Sequence, residues 1–130
     1  MDKEAIIEKL TAVLEKYREK ILFAYLFGSM AEGVESALSD VDIAVYASPG
    51  HAMDLDERLG FQADCCRALK RDDVDVVVLN QTRNLILKEE IVRNGIVILD
   101  QAPETRTEWE VKILHQAIDF RDQRKAVMGV

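Results

Sequence analysis

The sequence predicts an α+β (α/β) domain with a single mixed β-sheet of about four strands and helices packed against it. Three observations carry that expectation. Four segments place apolar residues at helical spacing, and four short apolar runs, rich in β-branched or aromatic residues, lie among them. Helix and strand patterns alternate along most of the chain. The first two apolar runs are the exception, because they follow one another across the polar connection 28–40.

The first segment, about Asp2 to Lys20, carries Ile6, Ile7, Leu10, Val13, Leu14 and Tyr17 on one face and charge on the other, the mark of an amphipathic helix. Ile21 to Phe27 is continuously apolar and stops abruptly at Gly28, which predicts a strand buried on both faces. Val41 to Tyr46 reads as a second strand reached through acidic residues. Ser48-Pro49-Gly50 marks a loop. Leu55, Leu59, Ala63, Cys66 and Leu69 then recur at helical intervals, with Gly60 as a weak point. Val74 to Leu79 is a third strand. Leu85, Ile86, Ile91 and Val92 mark a helix stopped by Asn94-Gly95. Ile96 to Leu99 is a fourth strand, and after Pro103 a last helix runs from about Glu104 to Lys125 with Trp109, Ile113, Ala117 and Phe120 along one face.

Composition narrows the function classes. The 130 residues fit one domain, 1–130, and 48% of them are apolar. There are 17 Lys plus Arg against 24 Asp plus Glu, a net charge of −7. A free-standing nucleic-acid binder needs a basic face to neutralise phosphates, so no direct nucleic-acid partner is expected. Cys65 and Cys66 are adjacent and poorly placed to pair with each other, and with only His51 and His115 no zinc spacing exists. Met1-Asp2-Lys3-Glu4 opens a charged segment without the apolar core of a secretory signal, and the run Ile21–Phe27 is too short to span a bilayer. The expectation is a cytoplasmic protein with no membrane contact.

The informative feature is where the carboxylates fall. Asp40 and Asp42 flank Val41 at the start of the second strand, and the period-two geometry of a strand sends both side chains to one face. Carboxylates that close repel unless a cation lies between them. Asp75 stands at the start of the third strand, and three such acids would make an oxygen-only donor set suited to a hard cation such as Mg²⁺. Alone, Asp-x-Asp is a weak signal: Asp40 serves equally as a turn cap after Ser39, and Asp42 and Asp75 as solvated edge charges. Phe27-Gly28-Ser29, with Gly33 four residues on, strengthens it. Gly28 allows a tight turn and close backbone approach, and Ser29 offers a hydroxyl and an N–H to phosphate oxygens. Other phosphate motifs are missing: there is no GxxxxGK[ST], no GxGxxG and no GxSxG.

Leu26-Phe27-Gly28-Ser29-Met30-Ala31-Glu32-Gly33, followed by Ser39-Asp40-Val41-Asp42-Ile43-Ala44-Val45, resembles the signature of the DNA polymerase β-like nucleotidyltransferase superfamily. The Gly-Ser pair, ten intervening residues and Asp-x-Asp match its spacing, as do the Ala and Gly between them and the Ser before the first Asp. In size the chain is similar to the minimal nucleotidyltransferases, commonly the antitoxin half of HEPN/MNT toxin–antitoxin pairs. The resemblance implies that Gly28 and Ser29 contact the triphosphate of a nucleoside triphosphate. It implies that Asp40 and Asp42 ligate two Mg²⁺ ions, and that Asp75 completes the catalytic metal's sphere and helps deprotonate the attacking hydroxyl. The implied donor is ATP, the acceptor a tyrosine hydroxyl on a partner HEPN toxin, and the leaving group pyrophosphate. Glu32 departs from the pattern, since the family often has a basic residue there. Arg83, Lys88 and Arg93 on the following helix are candidate compensating cations, or solvated helix-face charges.

Among the remaining residues, Asp73 shares the parity of Asp75 and stands as the alternative ligand, while Asp72 does not. Trp109 and Phe120 read as core or partner interface, Cys65 and Cys66 as helix residues of which at least one packs inside, His51 as exposed loop, and Asp119 and Asp122 as solvated charges. Two readings compete with an antitoxin adenylyltransferase. One is a nucleotidyltransferase acting on a small hydroxylated molecule of the aminoglycoside type, for which 130 residues leave little room. The other is a non-catalytic module that neutralises a basic toxin by docking.

Overall fold

A computed structural model of the chain describes residues 2–31, 40–51 and 53–128. The order of elements is α1 (Lys3–Glu15), β1 (Ile21–Phe27), a 3₁₀ turn (Gly28–Met30), β2 (Val41–Ala47), α2 (Leu55–Leu69), β3 (Val74–Val78), α3 (Leu85–Asn94), β4 (Ile96–Asp100) and α4 (Pro103–Met128). This is the predicted alternation. The four strands form one mixed sheet in the order β3-β2-β1-β4. β1 is antiparallel to both neighbours, whereas β2 and β3 are parallel and joined through α2.

The uninterrupted apolar run of β1 is explained by its central place. Ala24 and Leu26 join one apolar layer with α1, α2 and the inward residues of β2 and β3. Phe23, Tyr25 and Phe27 join a second layer on the opposite face with Ile91 of α3 and Trp109 and Ile113 of α4. A strand covered on both faces cannot alternate polar and apolar residues without burying polar groups. The second layer is rich in aromatic rings: Tyr46 stacks on Phe23 with centroids 4.6 Å apart, and the Trp109 ring lies 5.9 Å from that of Phe23. The Tyr25 hydroxyl donates to Glu110 at 2.7 Å, so its polar end is satisfied inside that layer.

Local signals set the helix ends. Asp2, Asp54 and Asn84 each accept a hydrogen bond from a backbone N–H three residues on, at 2.8, 2.8 and 3.1 Å. Lys70, in the left-handed region with φ 55°, closes α2.

Three expectations are corrected. The first helix ends at Glu15, and residues 16–20 turn instead, because the chain must reverse there to enter β1. In α2 the buried stripe is Phe61, Cys65 and Leu69, while Leu55 and Leu59 are 60% and 49% exposed. The face is turned by about a quarter of a rotation, at roughly 100° per residue, from the one the leucines marked. An aromatic ring buries more area than a leucine, and Phe61 docks edge-on against Tyr17 at 5.0 Å. Finally, Trp109, Ile113 and Ala117 are buried as expected, but Phe120 is 41% exposed. With 26 residues, α4 is about 39 Å long, and at Phe120 it lines an open groove with the start of α3.

The contrast between these positions is measurable. Phe23→Ala, at a fully buried site in the aromatic layer, is expected to cost about 3–5 kcal/mol in urea unfolding. Leu55→Ala should stay within about 0.5 kcal/mol of wild type, and a large loss there would show that the exposed leucine face is covered.

Candidate active site

β1 and β2 pair so that Phe27 lies opposite Asp42, and β2 and β3 pair so that Asp42 lies beside Asp75. Asp42 therefore sits between an aromatic residue on one side and a second carboxylate on the other. Along β2, Asp42, Ala44 and Tyr46 share one face, the face that Ala44 and Tyr46 present to the aromatic layer. The acids take over the row where it reaches the sheet's end. Asp40 immediately precedes β2 and is exposed, as is Asp75, while Asp42 is half-buried. Burial, then the charge of Asp75, then that of Asp40, push the Asp42 carboxyl above the usual carboxylate range.

Gly28 explains why a glycine follows β1. Its φ is +75°, which side-chain-bearing residues rarely adopt, and a Cβ there would lie 2.4 Å from Oδ2 of Asp42. The backbone thus presses directly against the carboxylate. The chain then forms the short 3₁₀ turn Gly28–Met30, closed by Ala31 N–H donating to Gly28 O at 3.1 Å. Ser29, the expected phosphate-holding residue, is exposed on that turn, next in the chain to the Gly28 that meets Asp42.

Asp75 and Asp73 differ in their surroundings. Arg71 donates to both carboxylate oxygens of Asp73, at 2.6 and 2.7 Å, and holds that carboxyl below the usual range. Asp73 is engaged, and its backbone oxygen accepts from Val41 N–H at 3.0 Å, which sets Asp40 alongside it. Arg71 was not singled out by the sequence reading; its signal was the i, i+2 spacing to Asp73 in a turn. Gly33, Glu32 and Ser39 lie outside the described residues.

The three carboxylates form an open rim. Among the described residues, no three Asp, Glu, His or Cys side chains close on one point to hold a metal ion alone. Magnesium fits such a rim, because it is usually bound through one or two carboxylates with waters and substrate phosphates completing the octahedron. Two of the three candidate compensating cations lie away from the acids, and the third is already paired. Arg93 pairs with Glu89 at 2.9 Å, and Arg83 and Lys88 line a groove between the start of α3 and α4, beyond the carboxyl end of β3. As expected, Cys65 is buried and His51 is exposed. No described helix is long and apolar enough to cross a membrane.

Residues 8–104 match the family described as Polymerase beta, Nucleotidyltransferase. The chain is similar to one in the crystal structure of a toxin–antitoxin with AMP-PNP, at 26% identity and a TM-score of 0.79 over 95% of each chain. It also resembles a chain in the complex of a tri-AMPylated Shewanella oneidensis HEPN toxin with MNT antitoxin. There the identity is 24% and the TM-score 0.75, over 98% of this chain and 96% of that one. A third likeness is to the toxin–antitoxin MntA-HepT, at 24% identity and a TM-score of 0.73, over 97% and 96% of the two chains. At 24% these last two speak to the fold alone. No curated protein matches the sequence significantly.

The electrostatics of Asp42 have a consequence for stability. Its folded pKa lies above its unfolded one, so the ionised group destabilises the fold at neutral pH, and that penalty is relieved as pH falls through the folded value. Asp42→Asn in metal-free buffer is therefore expected to raise Tm at pH 7, with the gain vanishing near about pH 4. Equal Tm values at pH 7 would remove the repulsion from the account. Gly28→Ala should cost about 1–3 kcal/mol, read from the same melts.

Proposed function

Because this chain belongs to the Polymerase beta nucleotidyltransferase family, we propose that it transfers AMP from ATP to a hydroxyl of a partner HEPN ribonuclease toxin, and so acts as the antitoxin. The observation that carries this reading is the pairing of Asp42 with Asp75 across β2 and β3, with the Gly28 backbone against the Asp42 carboxylate. A phosphate-holding turn and a pair of acids at one end of a sheet are the parts that metal-assisted phosphoryl chemistry needs. The likeness to a toxin–antitoxin chain with AMP-PNP supports an adenine nucleotide and a toxin partner. The net charge of −7 suits a basic partner.

In this mechanism Gly28 lets the backbone approach the triphosphate without a side chain in the way, and Ser29 supplies a hydroxyl and an N–H to its oxygens. Asp40 and Asp42 would hold two Mg²⁺ ions, with Asp75 completing the sphere of the catalytic one. Magnesium bound there supplies positive charge to the attacking and leaving oxygens. The acceptor is proposed to be a tyrosine hydroxyl, whose proton passes to Asp75 as its oxygen bonds the α-phosphorus. The bond from that phosphorus to the β-phosphate oxygen breaks, and pyrophosphate leaves. In-line geometry follows from placing the acceptor opposite the leaving group. The half-burial of Asp42 strengthens its electrostatic interaction with a bound cation relative to water.

The test is transfer of label from α-labelled ATP to the toxin expressed from the neighbouring reading frame, with Mg²⁺ present. Asp40→Asn and Asp42→Asn should each reduce transfer by about 100-fold or more, the scale on which single electrostatic contributors act. Undiminished transfer in those variants would remove the acids from the mechanism. Toxin neutralised by wild type without any label transfer would leave docking as the activity.

A further inference from the structure

The acids occupy the amino ends of the parallel strands β2 and β3. The carboxyl ends of the same strands, at Tyr46 and Leu79, open into a separate cavity of about 220 Å³ beneath α4. Tyr46 is four residues beyond Asp42 on the same face, about 13 Å away at roughly 3.3 Å per residue, so the two sites are distinct.

The chemistry of the cavity is opposite to that of the rest of the molecule. The half-buried Lys88 lines it from α3 and the exposed Lys112 from α4, and no carboxylate is among the described lining residues. Neither lysine takes part in an ion pair among the described residues, although the chain carries 24 acids against 17 bases. Arg83 and Asp119 line the adjoining groove, which shares Thr82, Lys88 and Gln116 with the cavity. Thr82 and Gln116 add neutral hydrogen-bonding groups. The Tyr46 and Trp109 rings meet edge-on, 6.2 Å apart, and give the cavity a rigid wall. Its volume is below the ~300–1,000 Å³ of sites for drug-sized ligands, which leaves room for a small anion rather than a whole nucleotide.

We propose that this cavity binds a small phosphate-class anion, orthophosphate or pyrophosphate, between Lys88 and Lys112. The inference does not depend on the reading of the acidic site, because none of its residues is shared with that site.

Trp109 is the only tryptophan in the chain and lines the cavity, so its fluorescence reports occupancy directly. The full chain is titrated with sodium pyrophosphate, and separately with orthophosphate, in EDTA at ionic strength held constant with chloride. Saturable change with at least one anion is expected. Lys88→Gln and Lys112→Gln should each weaken it by about tenfold, and Ser29→Ala should leave it unchanged. Circular dichroism spectra matching wild type establish that the variants are folded. A response absent with both anions, undiminished in either lysine variant, or lost in Ser29→Ala would overturn the proposal.

Discussion

Much of the molecule depends on β1 being buried on both faces between β2 and β4. Seven consecutive apolar residues have no water-facing side to turn outward, so the strand must occupy the middle of the sheet with a helical layer on each face. That requirement fixes its register with β2, and the register ends with Phe27 opposite Asp42. The next residue, Gly28, is then held against the Asp42 carboxylate. Hydrophobic burial in the centre and the close contact at the rim are consequences of one placement.

The same sheet has two chemically different ends. At the amino ends of the parallel pair, carboxylates replace the apolar row, and their mutual repulsion is tolerated because Asp40 and Asp75 remain in water. At the carboxyl ends, aromatic packing beneath α4 leaves a cavity whose charge comes from lysines. Arg71 tempers the acidic end by engaging Asp73, which would otherwise add a further unpaired carboxylate next to Asp40.

Much of this was legible in the residues. The run Ile21–Phe27 announces a doubly buried strand, the Phe27-Gly28-Ser29 break announces a turn, and the spacing of Asp40 and Asp42 predicts one face for both. The inner face of α2 was not legible in the same way. Leucine spacing marked one face, but burial was decided by which side chain found a partner, and Phe61 found Tyr17. Periodicity reports that a helix has an apolar side; it does not weigh one apolar side chain against another. Phe120 shows the same limit, since it continues the inner stripe of α4 but lines an open groove against the start of α3 rather than the closed core.

Sequence by itself determined the order of elements, the parity of the acids and the glycine at the turn, because each follows from local geometry with a period of two or 3.6 residues. Tertiary structure alone decided that β3 lies parallel to β2, in the register that sets Asp75, the acid the strand pattern favours, beside Asp42. It alone placed Arg71 on Asp73, and carried Arg83 and Lys88 to the end of the sheet opposite the acids. These outcomes depend on which strands pair and which way each helix crosses them, and those choices are made by burial summed over the whole chain rather than by any local pattern.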